Sequence, residues 1–184
     1  MIGHQESQRG TTLIEALIAF IVLGIGLLGM LALQIKAQNT DFDSFQRSQA
    51  LVMAEDMVNR MAAARSPGCY DTAGEETLPG QWDTGVSTSM AGCSPSSNVD
   101  LAAWNEMLRG SGELAGSTDT EVGGLLGALG CIENDLSETN LWYVTVAWQG
   151  MSEVPLPEGI SSCGKNHYES ENLRRVVTLP VYIP

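Results

Sequence analysis

Hydrophobic and polar positions divide this chain into three regimes. From Leu13 to Leu33 the residues are apolar almost without interruption, and Glu15 is the only polar side chain among about 21 residues. As a helix rising 1.5 Å per residue, the run is roughly 30 Å long, the thickness of a hydrocarbon core. From there to Arg65 the pattern becomes amphipathic, with Ala50, Leu51, Ala54, Met57, Val58 and Met61 recurring at spacings of three and four. Gln34, Gln38, Asn39, Asp41, Asp43, Gln46 and Arg47 supply the polar face. No proline occurs between Thr11 and Arg65, and Ser66-Pro67-Gly68 supplies a stop, so the interval reads as one helix of roughly 80 Å. Near the C-terminus the period changes to two. Trp142, Val144, Val146 and Trp148 alternate on one face of a strand over 141–148, and Leu173, Val177, Leu179, Val181 and Ile183 alternate on another. Leu125–Ile132 is a further strand candidate.

Between these regimes, 66–98 is rich in Gly, Ser, Pro, Thr and Asp and reads as a long connection. Asp100 is the expected cap of a short helix, Leu101–Arg109, ended by Gly110 or Gly112. The order is helix, long loop, antiparallel sheet, which predicts an α+β fold whose sheet covers the helix stripe.

Composition sharpens the picture in two respects. Net charge is −13, with 22 acidic against 9 basic residues, which disfavours long-range attraction to phosphate or anionic lipid; no nucleic-acid partner is expected. Only Arg174-Arg175 offers adjacent bases. The four cysteines, Cys69, Cys93, Cys131 and Cys163, form no C-x-x-C pair and no zinc-like spacing, so no metal site is expected. An even count beyond an apolar segment fits an oxidising compartment and two disulfides. Three connectivities are open, of which the local pairing, Cys69–Cys93 with Cys131–Cys163, is the reading chosen.

Motifs of catalysis and cofactor binding are wanting. There is no G-x-S-x-G, H-E-x-x-H or P-loop lysine, so neither catalytic residue nor cofactor is assigned. Gly24-Ile25-Gly26-Leu27-Leu28-Gly29 matches G-x-G-x-x-G by spacing, but it lies inside the apolar run instead of opening a helix after a strand. His167 sits in a polar loop, and Glu75-Glu76 read as solvated acids. Trp82, Trp104, Trp142 and Trp148 read as core or loop anchors.

Glu15 remains to be explained. A carboxylate near the end of a spanning helix costs a few kcal/mol unless a cation answers it. Gly10-Thr11-Thr12-Leu13-Ile14-Glu15 and the apolar run after it resemble the processing site of type IV pilins and type II secretion pseudopilins. The resemblance implies cleavage after Gly10, N-methylation of Thr11 and a role in assembly for Thr11 and Glu15, the latter fifth in the mature chain. Thr11 departs from the phenylalanine usual in the family. Residues 1–10 would be a leader, 11–33 the transmembrane and assembly helix, and 34–184 a periplasmic pilin-like domain. A conventional secretory signal fits poorly, because the run is too long and no small-x-small site follows it. Gly26-Leu27-Leu28-Gly29-Met30-Leu31-Ala32-Leu33-Gln34, Val144-Thr145-Val146-Ala147-Trp148-Gln149-Gly150 and Arg174-Arg175-Val176-Val177 are similar to the minor-pilin class of type IV pilus modification proteins, PilV. That class implies a subunit helping to initiate pilus assembly in a priming complex at the filament tip. Its partners would be other minor pilins, the major pilin, the prepilin peptidase, the inner membrane and a tip adhesin. The alternatives are a minor pseudopilin of type II secretion and a signal-anchored periplasmic binding protein.

If cleavage follows Gly10, a branched side chain there should block it. Gly10→Val is expected to accumulate as uncut precursor on a gel, and normal maturation of the variant would remove the processing assignment.

Overall fold

The structure, a computed structural model, describes residues 11–72, 93, 95–110, 114–115, 120–121 and 124–184. Helix α1, Thr11–Ala64, runs unbroken for 54 residues. It ends where Arg65 turns left-handed, φ 52°, and donates its N–H to the Met61 carbonyl at 3.1 Å. A 3-10 turn, Pro67–Tyr70, opens on the proline immediately afterwards. Helix α2 spans Pro95–Arg109. Two-residue strands β1, Leu114–Ala115, and β2, Thr120–Glu121, pair antiparallel. The main sheet is a meander, order β3-β4-β5, of strands Leu129–Asn134, Leu141–Gln149 and Arg174–Tyr182. The layout is α+β. The chain forms two compact units, divided between Asp41 and Phe42.

Within the second unit, α1 packs by a stripe of Gln46, Ala50, Met53, Ala54, Met57 and Met61, all buried. The stripe differs from the sequence expectation at its edges. Leu51 is exposed, because it lies one step of about 100° past Ala50 on a 3.6-residue helix, whereas Met53 lies back within the stripe. The inner face of the sheet, Ile132, Trp142, Val144, Val146, Trp148, Val181 and Ile183, meets this stripe in one core. The expected alternation in 141–148 is therefore observed, and Val177 and Leu179 pack at the core's margin.

Two expectations are corrected. Helix α2 begins at Pro95, so Asp100 is no cap but lies inside the helix. The start signal is a proline at the first helical position, where a missing N–H costs nothing. There Asp100 accepts from Tyr70 Oη at 2.8 Å and from Arg60 Nη1 at 3.1 Å, and Arg60 also pairs with Asp56. This polar cluster ties α1, the 3-10 turn and α2 together; burial and the Asp100 bond push the Tyr70 hydroxyl pKa well up. The strand expected at Leu125–Ile132 lies instead at Leu129–Asn134, since Leu125 ends in the core as part of a turn leading into β3. Of the expected connection 66–98, residues 73–92 and 94 lie outside the described residues.

Trp104 on α2 joins the layers. Its Nε1 donates to the Met53 carbonyl at 2.9 Å, and its ring occupies the space above Gly130 where any side chain would stand. Disulfides join Cys69 to Cys93 and Cys131 to Cys163, with Cα separations of 5.6 and 5.9 Å, which is the local pairing chosen from the sequence. They close loops of 24 and 32 residues. In the chain-entropy account each contributes roughly 3–4 kcal/mol.

Gly130→Ala drives a methyl into the Trp104 ring. It is expected to destabilise the second unit by about 1–3 kcal/mol, the usual cost of overpacking. Denaturation of the detergent-solubilised chain, followed by tryptophan fluorescence, measures this.

Candidate functional site

The first unit consists, among the described residues, of the α1 segment 11–41. A helix propagates here because Leu, Ile, Ala and Met dominate and no proline interrupts them. Every side chain described from Leu13 to Asp41 is exposed; Leu13, Phe20 and Leu33 reach 78%, 74% and 71%. At about 25 cal/mol per Å² of apolar surface, such a face is strongly unfavourable in water. Among the described residues, α1 is the one helix long and apolar enough to cross a membrane.

Glu15 sits one turn into this helix, with its side chain exposed among Leu13, Ile14, Leu17 and Ile18. Thr11 is the first residue of α1, four positions before it, and Gly10 lies outside the described residues. Residues four apart are neighbours on a helix surface, so α1 brings the Thr11 backbone and the Glu15 side chain onto one face. Gly24, Gly26 and Gly29 lie in mid-helix, and a Cβ at any of them would meet no atom within 4 Å. Packing among the described residues therefore gives no reason for three glycines, and among those residues no strand precedes them to make a nucleotide fingerprint.

The remaining candidate residues are engaged in the second unit. All four cysteines are in disulfides, so none is a thiolate ligand. His167 is exposed and meets the Tyr168 ring edge-on, centroids 5.4 Å apart. Trp104, Trp142 and Trp148 are core residues; Trp82 and Glu75-Glu76 lie outside the described residues.

Comparison with family models, with curated proteins and with solved structures finds no match.

The adjacent arginines do not form a free basic patch. Arg174 is 3% exposed and donates Nε to Glu171 at 2.9 Å and Nη1 to the carbonyls of Ser161 and Cys163 at 2.7 and 3.0 Å. Arg175 donates to the carbonyls of Ser152 and Asn172 and approaches Asp43 at 3.9 Å, while Asp43 accepts the Met151 N–H. Composition singled out the dipeptide; only the fold reveals that it clamps loops onto α1 and β5. The half-buried cluster of Arg60, Asp56, Asp100 and Tyr70 went unforeseen, because Asp100 lies 40 residues from Arg60 and 30 from Tyr70.

Two carboxylates make this unit sensitive to acid. The Asn166 N–H, then Arg174, hold the Glu171 carboxyl below its ordinary range. The Ser137 hydroxyl and N–H do the same for Asp135. A depressed folded-state pKa contributes stability above the unfolded value, near about 4, and loses it as pH falls through the folded value. The unfolding midpoint should therefore drop below about pH 4. Glu171→Gln should flatten that dependence in denaturant titrations between neutral pH and pH 3.

Proposed function

We propose that this chain is a minor pilin, a structural subunit that helps to initiate type IV pilus assembly within a priming complex at the filament tip. The observation that carries the reading is the sequence Gly10-Thr11-Thr12-Leu13-Ile14-Glu15 at the start of a helix, Thr11–Ala64, whose apolar segment is exposed within its own chain. The continuation of the same helix packs through its Met-rich stripe on an antiparallel sheet. That arrangement supports a subunit delivered through the inner membrane, with a disulfide-bonded domain on the periplasmic side.

The chemistry of the helix start gives the assembly step a physical basis. Cleavage after Gly10 would leave the Thr11 amine as a cation at the membrane face, basic even when methylated. Glu15, one turn away, pairs with that amine or with the amine of a neighbouring subunit. An unpaired buried charge costs several kcal/mol in a low-dielectric setting, so an intersubunit pair draws each incoming helix into register. The exposed leucines and isoleucines of 13–35 then exchange lipid for neighbouring helices. Catalysis forms no part of this reading. The prepilin peptidase, the other minor pilins, the major pilin and an adhesin at the tip are the partners it implies.

Glu15→Ala is expected to be inserted and cleaved normally, yet to be recruited poorly. Crosslinking to other minor pilins in membranes should fall at least about tenfold at equal protein level, as the loss of a buried charge pair implies. Equal yields from wild type and variant would overturn the intersubunit role. An uncut N-terminus on the wild-type protein, read by intact mass, would replace the whole reading with a signal-anchored protein.

A further inference from the structure

The outer face of the main sheet, turned away from α1, is covered at one end only. Its first rung, Leu129–Ala147–Val176, is overlaid by the segment 163–168: Cys163 is bonded to Cys131, and Tyr168 packs on Leu129 and Ala147. Tyr168 Oη fixes the segment by donating to the Gly127 carbonyl at 2.9 Å. The disulfide also covers Cys131 of the second rung, but the rest of that rung, Thr145–Thr178, and Glu133–Tyr143 of the third are not overlaid by this segment. Over them a cleft of about 530 Å³ opens, walled on its other side by Gly159, Ile160 and Ser161. Small-molecule sites fall at roughly 300–1,000 Å³.

The lining divides into two kinds of group. Apolar surface comes from Val176, Ile160 and the ring of Tyr143, whose hydroxyl is already engaged with Asp135 at 3.1 Å. Polar groups come from Glu133, Thr145 and Thr178. The half-buried Glu133 carboxylate makes no hydrogen bond or ion pair among the described residues. Thr145, 2% exposed, and Thr178 place their hydroxyl oxygens 3.0 Å apart. Only one of these hydroxyls donates in their mutual bond, so the pair offers both an acceptor and a second proton to a third group. Among the described residues no Lys or Arg lines the cleft, so those residues offer an anion no counter-charge there. A matching ligand donates to Glu133, both donates and accepts at the threonine pair, and lays an apolar face on a ring.

We infer that this cleft binds a pyranose-type sugar ring, with a hydroxyl or amino group of the sugar donating to Glu133. Equatorial hydroxyls supply the donor and acceptor pairs, and the ring's C–H face packs on Tyr143, Ile160 and Val176. The inference does not depend on the assembly reading, which concerns the first unit.

The test uses the full chain in a detergent without a sugar headgroup, since a glucoside would compete. Methyl NMR signals of Thr145, Thr178, Ile160 and Val176 are followed during titration with glucosamine and with N-acetylglucosamine, up to tens of millimolar. Ethanolamine serves as the small-ammonium control. Saturable shifts of these methyls with at least one sugar are expected, and ethanolamine should leave them unmoved. Ile160→Trp fills the cleft from its rim and should abolish the response. Glu133→Gln should weaken it at least about tenfold, as loss of a charged acceptor implies. No saturable shift with either sugar overturns the inference. So does an equal response to ethanolamine, which would leave only an ammonium site, or wild-type binding by either variant.

Discussion

Trp104 donates its indole N–H to the carbonyl of Met53 while its ring lies flush against the backbone of Gly130. Three elements meet at that side chain: α1 gives the acceptor, α2 the indole and β3 the floor. Each depends on the others. With a side chain at 130 the ring would have no place, and without the ring the inner face of β3 would lack its cover from α2. Leu101 and Leu108, buried on the same helix, extend the contact, and the Met57 and Met61 side chains complete it from α1. An indole is suited to this position because it buries a large apolar area yet still carries one N–H that must find a partner.

Polar clamps placed around this core hold what hydrophobic burial cannot orient. Arg60 spans Asp56 on its own helix and Asp100 on α2, and Tyr70 closes the group by donating to Asp100. At the opposite side of the sheet, Arg174 secures the carbonyls of Ser161 and Cys163, next to the Cys131–Cys163 disulfide. Thr72 performs a similar service for the β3 edge, exchanging hydrogen bonds with the Ile132 backbone. Long polar segments that bury little are thereby fixed at a few points instead of along their length.

The N-terminal part of α1 obeys a different logic. Its side chains from Leu13 to Ile35 have no core of their own to enter, so their stability lies in a surrounding that is itself apolar. Within such a surrounding Glu15 is the expensive residue, and the three glycines are the ones that nothing among the described residues requires. Both features point outward, to whatever packs against the helix, which is why the proposed function is placed there. The cleft over the outer face of the sheet is the second outward-facing feature, and its lining mixes apolar side chains with the polar groups of Glu133, Thr145 and Thr178.

The two periodicities are local properties, and they were legible without a structure. A 3.6-residue rhythm over Ala50, Ala54, Met57 and Met61 and a two-residue rhythm over Trp142 to Trp148 identify a helix and a strand, because backbone geometry alone sets where successive side chains point. The apolar run and the even cysteine count were equally readable. What tertiary structure decided are the facts that depend on distance in space. Asp100 looks like a cap in sequence and becomes an ion-pair acceptor only because Arg60 and Tyr70 fold beside it. Arg174-Arg175 looks like a basic patch until loop carbonyls and Asp43 absorb its donors. Gly130 carries no signal at all, since its reason is the ring of a residue 26 positions earlier. The cleft is the extreme case: Glu133, Tyr143, Thr145 and Thr178 sit on the face opposite the apolar alternation, and strand pairing alone makes them neighbours.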